Sequence, residues 1–185
     1  LMKAHGPCTL GARPRRDAFS SLVRAIVFQQ LATAAATTIH ARVMASMGVR
    51  HCPPPAMWLA TPETTLRAGG LSGQKLRYIL DLCERVSTGA LDTRRLYRLS
   101  DDEVIAALTQ VKGIGRWTAE MHLMFHLQRH DVLPLGDLGV VTGFARVYNG
   151  GEKAAPAAIE AHAEKWRPYR SIGSWYMWRA LEASR

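Results

Sequence analysis

Apolar positions recur three or four residues apart along most of the chain. In AFSSLVRAIVF, Phe19, Leu22, Val23 and Ile26 fall on one face of a helical period, and Asp17 stands where an N-cap belongs. FQQL interrupts that face at 28–31. The alanine-rich run AAATTIHARVMASM follows, with Thr33 as its expected cap and Gly48 as its expected stop. HCPPPAMW contains three consecutive prolines, which supply no amide donors, and is expected as a loop or turn. Thr61 before Pro62 and Glu63 predicts another cap, with proline at the first helical position. Ser72 is expected to cap GQKLRYILDLCERV, and Ser100 to Glu103 spell a capping box ahead of VIAALTQV. RWTAEMHLMFHL continues the pattern after GIG, DVLPLGD reads as extended or loop-like, and further helices are expected over 138–147, 156–165 and 169–183. Two short helix–turn–helix units emerge, at 64–86 and 103–126. No stretch alternates with a period of two, so the predicted fold class is all-α, with roughly eight to ten helices of ordinary length.

Composition narrows the class. The chain has 185 residues, 48% hydrophobic and 21% charged, as in an ordinary soluble globule of one domain or two small lobes. Lysine and arginine number 24 against 15 aspartates and glutamates, a net charge of +9. That balance favours a polyanionic partner, nucleic acid first; an acidic membrane surface or simple solubility are the other readings. Cys8, Cys52 and Cys83 are isolated and lack CxxC spacing, which argues against a disulfide framework, a zinc site or an iron–sulfur cluster and points to a reducing, intracellular setting. No apolar run approaches the ~20 residues of a membrane span. The N-terminus lacks a signal-peptide pattern, and its start at Leu1 points to a trimmed beginning. The seven histidines form no HExxH or other ligand spacing, so no metal catalysis is assigned.

The candidate chemistry begins at VKGIGRWTAE. Helix, KGIG, helix predicts a tight turn in which Gly113 and Gly115 take φ values that a Cβ would oppose, with Ile114 packed between the helices. The second helix opens with unpaired amides and the positive end of its dipole, and bare glycines let an anion approach them. Lys112 adds charge. Two readings stand at this point: a backbone site for a DNA phosphate, or a plain interhelical turn.

VKGIGRWTAEMHLMF followed by DVLPLGDLGV resembles the helix–hairpin–helix DNA glycosylase superfamily. FSSLVRAIVFQQLATAAA, GLSGQKLRYI and WRPYRSIGSWYMW make the chain similar to its 3-methyladenine DNA glycosylase II (AlkA-type) branch, from about Phe19 to Trp178. The resemblance implies a single two-lobed helical glycosylase domain over 1–185, with a central lobe of about 23–137 and a second lobe from 1–22 plus 138–185. The active cleft is expected between the lobes, with the hairpin and Asp137 at its mouth. Some members carry an extra N-terminal β domain, which the few residues before Phe19 are too short to hold.

The resemblance places the catalytic aspartate at Asp137, where a carboxylate suits the positive charge that builds on deoxyribose as an N-glycosidic bond breaks. Asp137 also stands where it can cap the helix beginning LGVV, and the two roles are compatible. Asp131 reads as a loop or helix-end carboxylate. Bifunctional relatives carry a lysine nucleophile immediately after GxGR; here Trp117 stands in that place, which implies a monofunctional hydrolase. Trp117 and Trp178 match aromatic positions of the family's base pocket, Met121 stands where a tyrosine is found, and Trp175 is a further candidate. Core packing is the alternative for each ring. Gln30, with Leu31 beside it, answers to the residue that wedges into the duplex, or else the pair forms a polar kink. Ser72, Gly73 and Lys75 are expected phosphate contacts, or a simple capped helix start. Arg167 and Arg170 are expected to stabilise the fold. The resemblance implies no cofactor beyond a monovalent cation (sodium or potassium) at the hairpin backbone.

The expected function is excision of 3-methyladenine-type alkylated bases from duplex DNA, with no membrane partner and a monomer as the default state. It would work in the cytoplasm or nucleoid of a bacterium, or in a eukaryotic nucleus. A glycosylase for deaminated or oxidised bases and a non-catalytic DNA-binding hairpin module are the alternatives.

Overall fold

The computed structural model describes residues 1–11 and 17–182. Among these the protein is all-helical, with no strand. Eleven α-helices run in order among the described residues: α1 (Met2–His5), α2 (Ala18–Phe28), α3 (Thr33–Ser46), α4 (Pro55–Ala60), α5 (Glu63–Ala68), α6 (Gly73–Ser87), α7 (Asp101–Leu108), α8 (Arg116–Phe125), α9 (Leu138–Tyr148), α10 (Pro156–Ala163) and α11 (Arg170–Glu182). Short 3₁₀ turns lie at Leu96–Arg98 and Glu164–Trp166. The number exceeds expectation because two pieces, α1 and α4, are too short to show a period.

Several helix boundaries follow from side-chain chemistry already visible in the sequence. Asp17 accepts the Ser20 amide at 2.9 Å and starts α2, which buries Phe19, Leu22, Val23, Ile26 and Val27. Each such side chain contributes about 2 kcal/mol of gross burial energy. Ser72 caps α6, and Ser100 and Glu103 form the reciprocal capping box of α7. Other boundaries correct the sequence reading. Thr33 is the first helical residue of α3 rather than its cap; Ala32 holds the cap position, with no side-chain bond. Thr61 closes α4 instead of opening α5, its hydroxyl donating to the Met57 carbonyl at 2.7 Å, and Pro62 precedes Glu63 as the cap. The proline run is not all loop. Pro55 begins α4, because a helix needs no amide donor in its first turn, and Trp58 is then fully buried. The expected helix over 156–165 ends at Ala163 and tightens into the second 3₁₀ turn, and residue 183 of the expected last helix lies outside the described residues.

The chain divides into two compact units: a terminal unit of Leu1–Arg15 with Glu120–Arg185, and a central unit of Arg16–Ala119. The cut falls earlier than the expected one at 137. The reason is a set of bonds tying 129–132 to the start of α11: Ser171 Oγ donates to the Arg129 carbonyl at 2.7 Å and accepts the Val132 amide at 3.0 Å. Arg170 Nε donates to Asp131 at 2.8 Å, and Arg167 Nη1 does so at 2.7 Å. Residues 17–22 join the central unit because they cap and begin α2.

In the terminal unit α9 and α11 lie in backbone contact. A Cβ added to Gly143 would sit 2.2 Å from the Met177 carbonyl oxygen, and one added to Gly139 would sit 2.7 Å from the Trp178 indole. Glycine costs a helix interior roughly 1 kcal/mol against alanine, so these two positions trade propensity for approach.

Candidate nucleic-acid interface and carboxylate site

In the central unit, α7 and the first turn of α8 flank the glycine turn. Ile114 is buried, as expected of an anchor, and its amide donates to the Val111 carbonyl at 3.0 Å. The two glycines prove unlike. Gly113 has φ +78°, and a Cβ there would sit 2.0 Å from the Tyr78 ring. Gly115 is not left-handed, and a Cβ there would meet nothing within 4 Å. The expectation of opposed φ at both positions is therefore corrected: Gly113 is required by the turn itself, whereas Gly115 leaves the start of α8 uncovered.

Lys112 and Lys75 also differ from expectation. The Lys112 amide donates to Asp81 Oδ2 at 3.0 Å, and its ammonium lies 3.5 Å from Oδ1, though the side chain is mostly in solvent. Burial alone would raise the Asp81 carboxyl, but the Lys112 amide and Arg85 outweigh it and hold the group below the usual range. Lys75 does not offer its charge to an incoming phosphate. Its Nζ donates to the carbonyls of Val27 and Gln29, each at 2.7 Å, and burial lowers its pKa. Those oxygens belong to the C-terminal end of α2, where unpaired carbonyls favour a cation. Ser72 is exposed, but its hydroxyl accepts the Lys75 amide at 3.3 Å, and Gly73 opens α6 beside it. Gln30 has φ 56°, a left-handed value uncommon for a side-chain-bearing residue, and both it and Leu31 are exposed.

In the terminal unit, Asp137 is 8% exposed and caps α9. Its Oδ1 accepts the Val140 amide and the Trp178 indole N–H, both at 2.8 Å. A backbone donor and a ring donor thus fix the carboxylate's orientation. Trp178 is half-buried and stacks on Phe125, with ring centroids 5.7 Å apart and planes 18° from parallel. Phe125 is 50% exposed and Leu138, next to the aspartate, 79% exposed. The sequence reading missed both. Phe125 follows Trp117 and Met121 at four-residue steps, a helical spacing that marks it as their neighbour in the row. Trp117 is 47% exposed and Met121 half-buried. Trp175 is corrected to a core residue: it is 7% exposed, edge-on to Tyr176 at 4.9 Å, and offers no open face for a base. Asp131 is occupied by Arg170 and Arg167; burial would raise its carboxyl, but the Arg170 bonds, then the two guanidinium charges, hold it low.

Among the described residues no group of histidine, cysteine, aspartate and glutamate is placed to hold a metal ion, and no helix is long and apolar enough to cross a membrane. All three cysteines are free; burial pushes the Cys83 thiol up to about 12. Two cavities of about 840 and 830 Å³ open in the central unit around Asp17, Ser20 and Cys52, and none of the expected site residues lines either one.

A glycine hairpin with an uncovered helix start thus lies in an all-α chain that also carries an oriented carboxylate beside stacked aromatic rings. The chain belongs to the HhH-GPD superfamily of base excision DNA repair proteins, whose family model matches residues 23–168. It is 32% identical to DNA-3-methyladenine glycosylase 1 of Schizosaccharomyces pombe over 166 residues, 89% of this chain and 73% of that protein. Among solved structures it is similar to a DNA-3-methyladenine glycosidase from Bacillus halodurans, with a TM-score of 0.87 and 38% identity over 96% of this chain and 81% of the other. It is also similar to the S. pombe 3-methyladenine DNA glycosylase in complex with abasic DNA, with a TM-score of 0.80 and 32% identity over 96% of this chain and 87% of the other.

Proposed function

We propose that the protein is a monofunctional DNA glycosylase that removes alkylated bases of the 3-methyladenine type from duplex DNA and so begins base excision repair. The observation that carries the reading is the Asp137 carboxylate, oriented by Val140 N–H and Trp178 N–H in a chain whose relatives are named for this activity. As the bond from C1′ to the base nitrogen lengthens, the sugar becomes cationic, and an oriented carboxylate stabilises that charge without reorganising. Asp137 then accepts a proton from the attacking water, whose oxygen bonds to C1′ while the base leaves with the bonding pair. The products are free base and an abasic site. An abasic-DNA complex of a similar protein supports that product. Trp117 stands where a strand-nicking relative needs a lysine, so no covalent enzyme–sugar bond forms.

Alkylated purines carry positive charge, so the exposed faces of Trp117 and of Phe125, with Trp178 stacked behind the latter, suit them. A cationic base is already a good leaving group, and modest transition-state stabilisation suffices. The hairpin amides hold a phosphate and read no base. A monovalent cation at the hairpin carbonyls belongs to the proposal, as does action as a monomer.

The test uses duplexes each carrying one defined lesion, followed by alkali. Base release with strand breaks only after alkali is expected. Asp137→Asn keeps a good N-cap residue, so it should retain DNA binding and fold while losing at least ~100-fold in single-turnover rate. Breaks without alkali would contradict the monofunctional assignment, and release confined to deaminated or oxidised bases would contradict the substrate class.

A further inference from the structure

Gln29 joins two turns that the sequence assigns to different tasks. It immediately precedes Gln30, and its side-chain Nε2 donates to the Gly113 carbonyl at 2.8 Å, across 84 residues of chain. Its own carbonyl is held at 2.7 Å by Lys75 Nζ, which also closes the end of α2 at Val27. Helix α6 backs the hairpin as well. The Tyr78 ring fills the space where a Gly113 side chain would be, Gln74 Nε2 donates to the Tyr78 hydroxyl at 2.7 Å, and Asp81 accepts the Lys112 amide. The FQQL turn and the glycine turn are therefore one unit, bridged by a single amide side chain.

We propose that Gln29 is a positioning residue for base extrusion. By pinning the FQQL turn to the hairpin, it sets where Gln30 and Leu31 meet the duplex once the hairpin holds a phosphate. The proposal rests on the glycosylase reading. Extrusion has to offset a few kcal/mol of lost stacking, and a side chain misplaced by an ångström forfeits much of that return. Without the Gln29 bond the hairpin keeps its Asp81 and Tyr78 supports, so the grip on the strand survives while the direction of the wedge is lost.

Gln29→Leu keeps the bulk and removes the donor; Gln29→Glu keeps the shape and faces the carbonyl with a carboxylate. Four quantities are measured for each: affinity for undamaged duplex, 2-aminopurine fluorescence beside a lesion as the extrusion signal, single-turnover release of 7-methylguanine, and Tm. Both variants should bind undamaged duplex within about threefold of the parent yet lose roughly tenfold in extrusion and release, the worth of one hydrogen bond. The loss should vanish in a Gln30→Ala, Leu31→Ala background, where no wedge remains to aim. Parent-like release in both variants overturns the proposal, as does a loss that tracks Tm and undamaged-duplex affinity equally, or that persists in full without the wedge. If the parent itself releases no base from any alkylated duplex, the glycosylase reading falls, and this proposal with it; parent release with unaltered variants sinks the proposal alone.

Discussion

The two hairpin glycines offer a test in which fold and binding separate. Alanine at 115 meets nothing within 4 Å and no left-handed φ. Its cost to the fold should be near zero, or a gain of about 0.5 kcal/mol from restricting the unfolded chain. Alanine at 113 faces φ +78° and a ring atom at 2.0 Å. The backbone term is about 1–2 kcal/mol and displacement of Tyr78 adds about 1–3 kcal/mol, so a loss of roughly 2–5 kcal/mol is expected. Binding should respond differently. Under the proposed backbone-phosphate role, a methyl group at 115 would stand between a phosphate and the first amides of α8, and a lost charge-assisted bond is worth about 1.5–3 kcal/mol, or roughly 10- to 100-fold in Kd. Urea unfolding gives the stability of each variant, and fluorescence anisotropy with several unrelated duplexes at fixed salt gives Kd. Gly115→Ala should keep its midpoint and lose affinity for every sequence alike; Gly113→Ala should lose both. Unchanged affinity in Gly115→Ala, or weakening for some sequences only, would refute the backbone-phosphate role.

Further outcomes follow from particular contacts. Trp178→Phe keeps a ring against Phe125 but removes the indole donor to Asp137, so single-turnover base release should slow about tenfold with little change in Tm; an unchanged rate would mean the carboxylate needs no such orientation. His122 is buried with Nε2 unpartnered, and burial, then the charge of His126, pushes its pKa from 6.5 down to about 3. The unfolded chain takes up this proton below pH 6.5 and the native chain only near 3, so stability should fall across that window as pH drops, by up to about 5 kcal/mol; urea midpoints at pH 7 and pH 4 measure it, and His122→Phe should flatten the slope. Asp131→Ala leaves Arg170 without its main partner and should cost about 2 kcal/mol by urea unfolding, with Arg170→Ala then adding little in the double variant.

What the sequence made legible was local. The caps at Asp17, Ser72 and Ser100, the hairpin around Ile114, and the aspartate heading α9 each lie within a few residues of the partners that define them. Non-local partners stayed hidden. Lys75 looks like a phosphate ligand until the carbonyls of Val27 and Gln29, more than forty residues away, are seen to occupy it. Gln29 itself carried no signal, because its partner is 84 residues distant. Trp175 was misread because α11 buries residues on successive positions from Ser174 to Met177, and a helix buried on several sides has no periodic face to separate core rings from site rings. Gly115 was grouped with Gly113 because composition cannot tell a glycine demanded by φ from one that merely leaves room.

The seam between α9 and α11 limits how this protein can be diversified. Residue 143 tolerates no added carbon because two backbones meet there, and residue 139 because the Trp178 indole lies against it, so the Asp137–Trp178 pair shares the intolerance of the seam. A library randomised along α9 would return mostly misassembled clones and teach nothing about base preference. New selectivity is better sought at Phe125 and Leu138, whose outward faces can change without prising the helices apart.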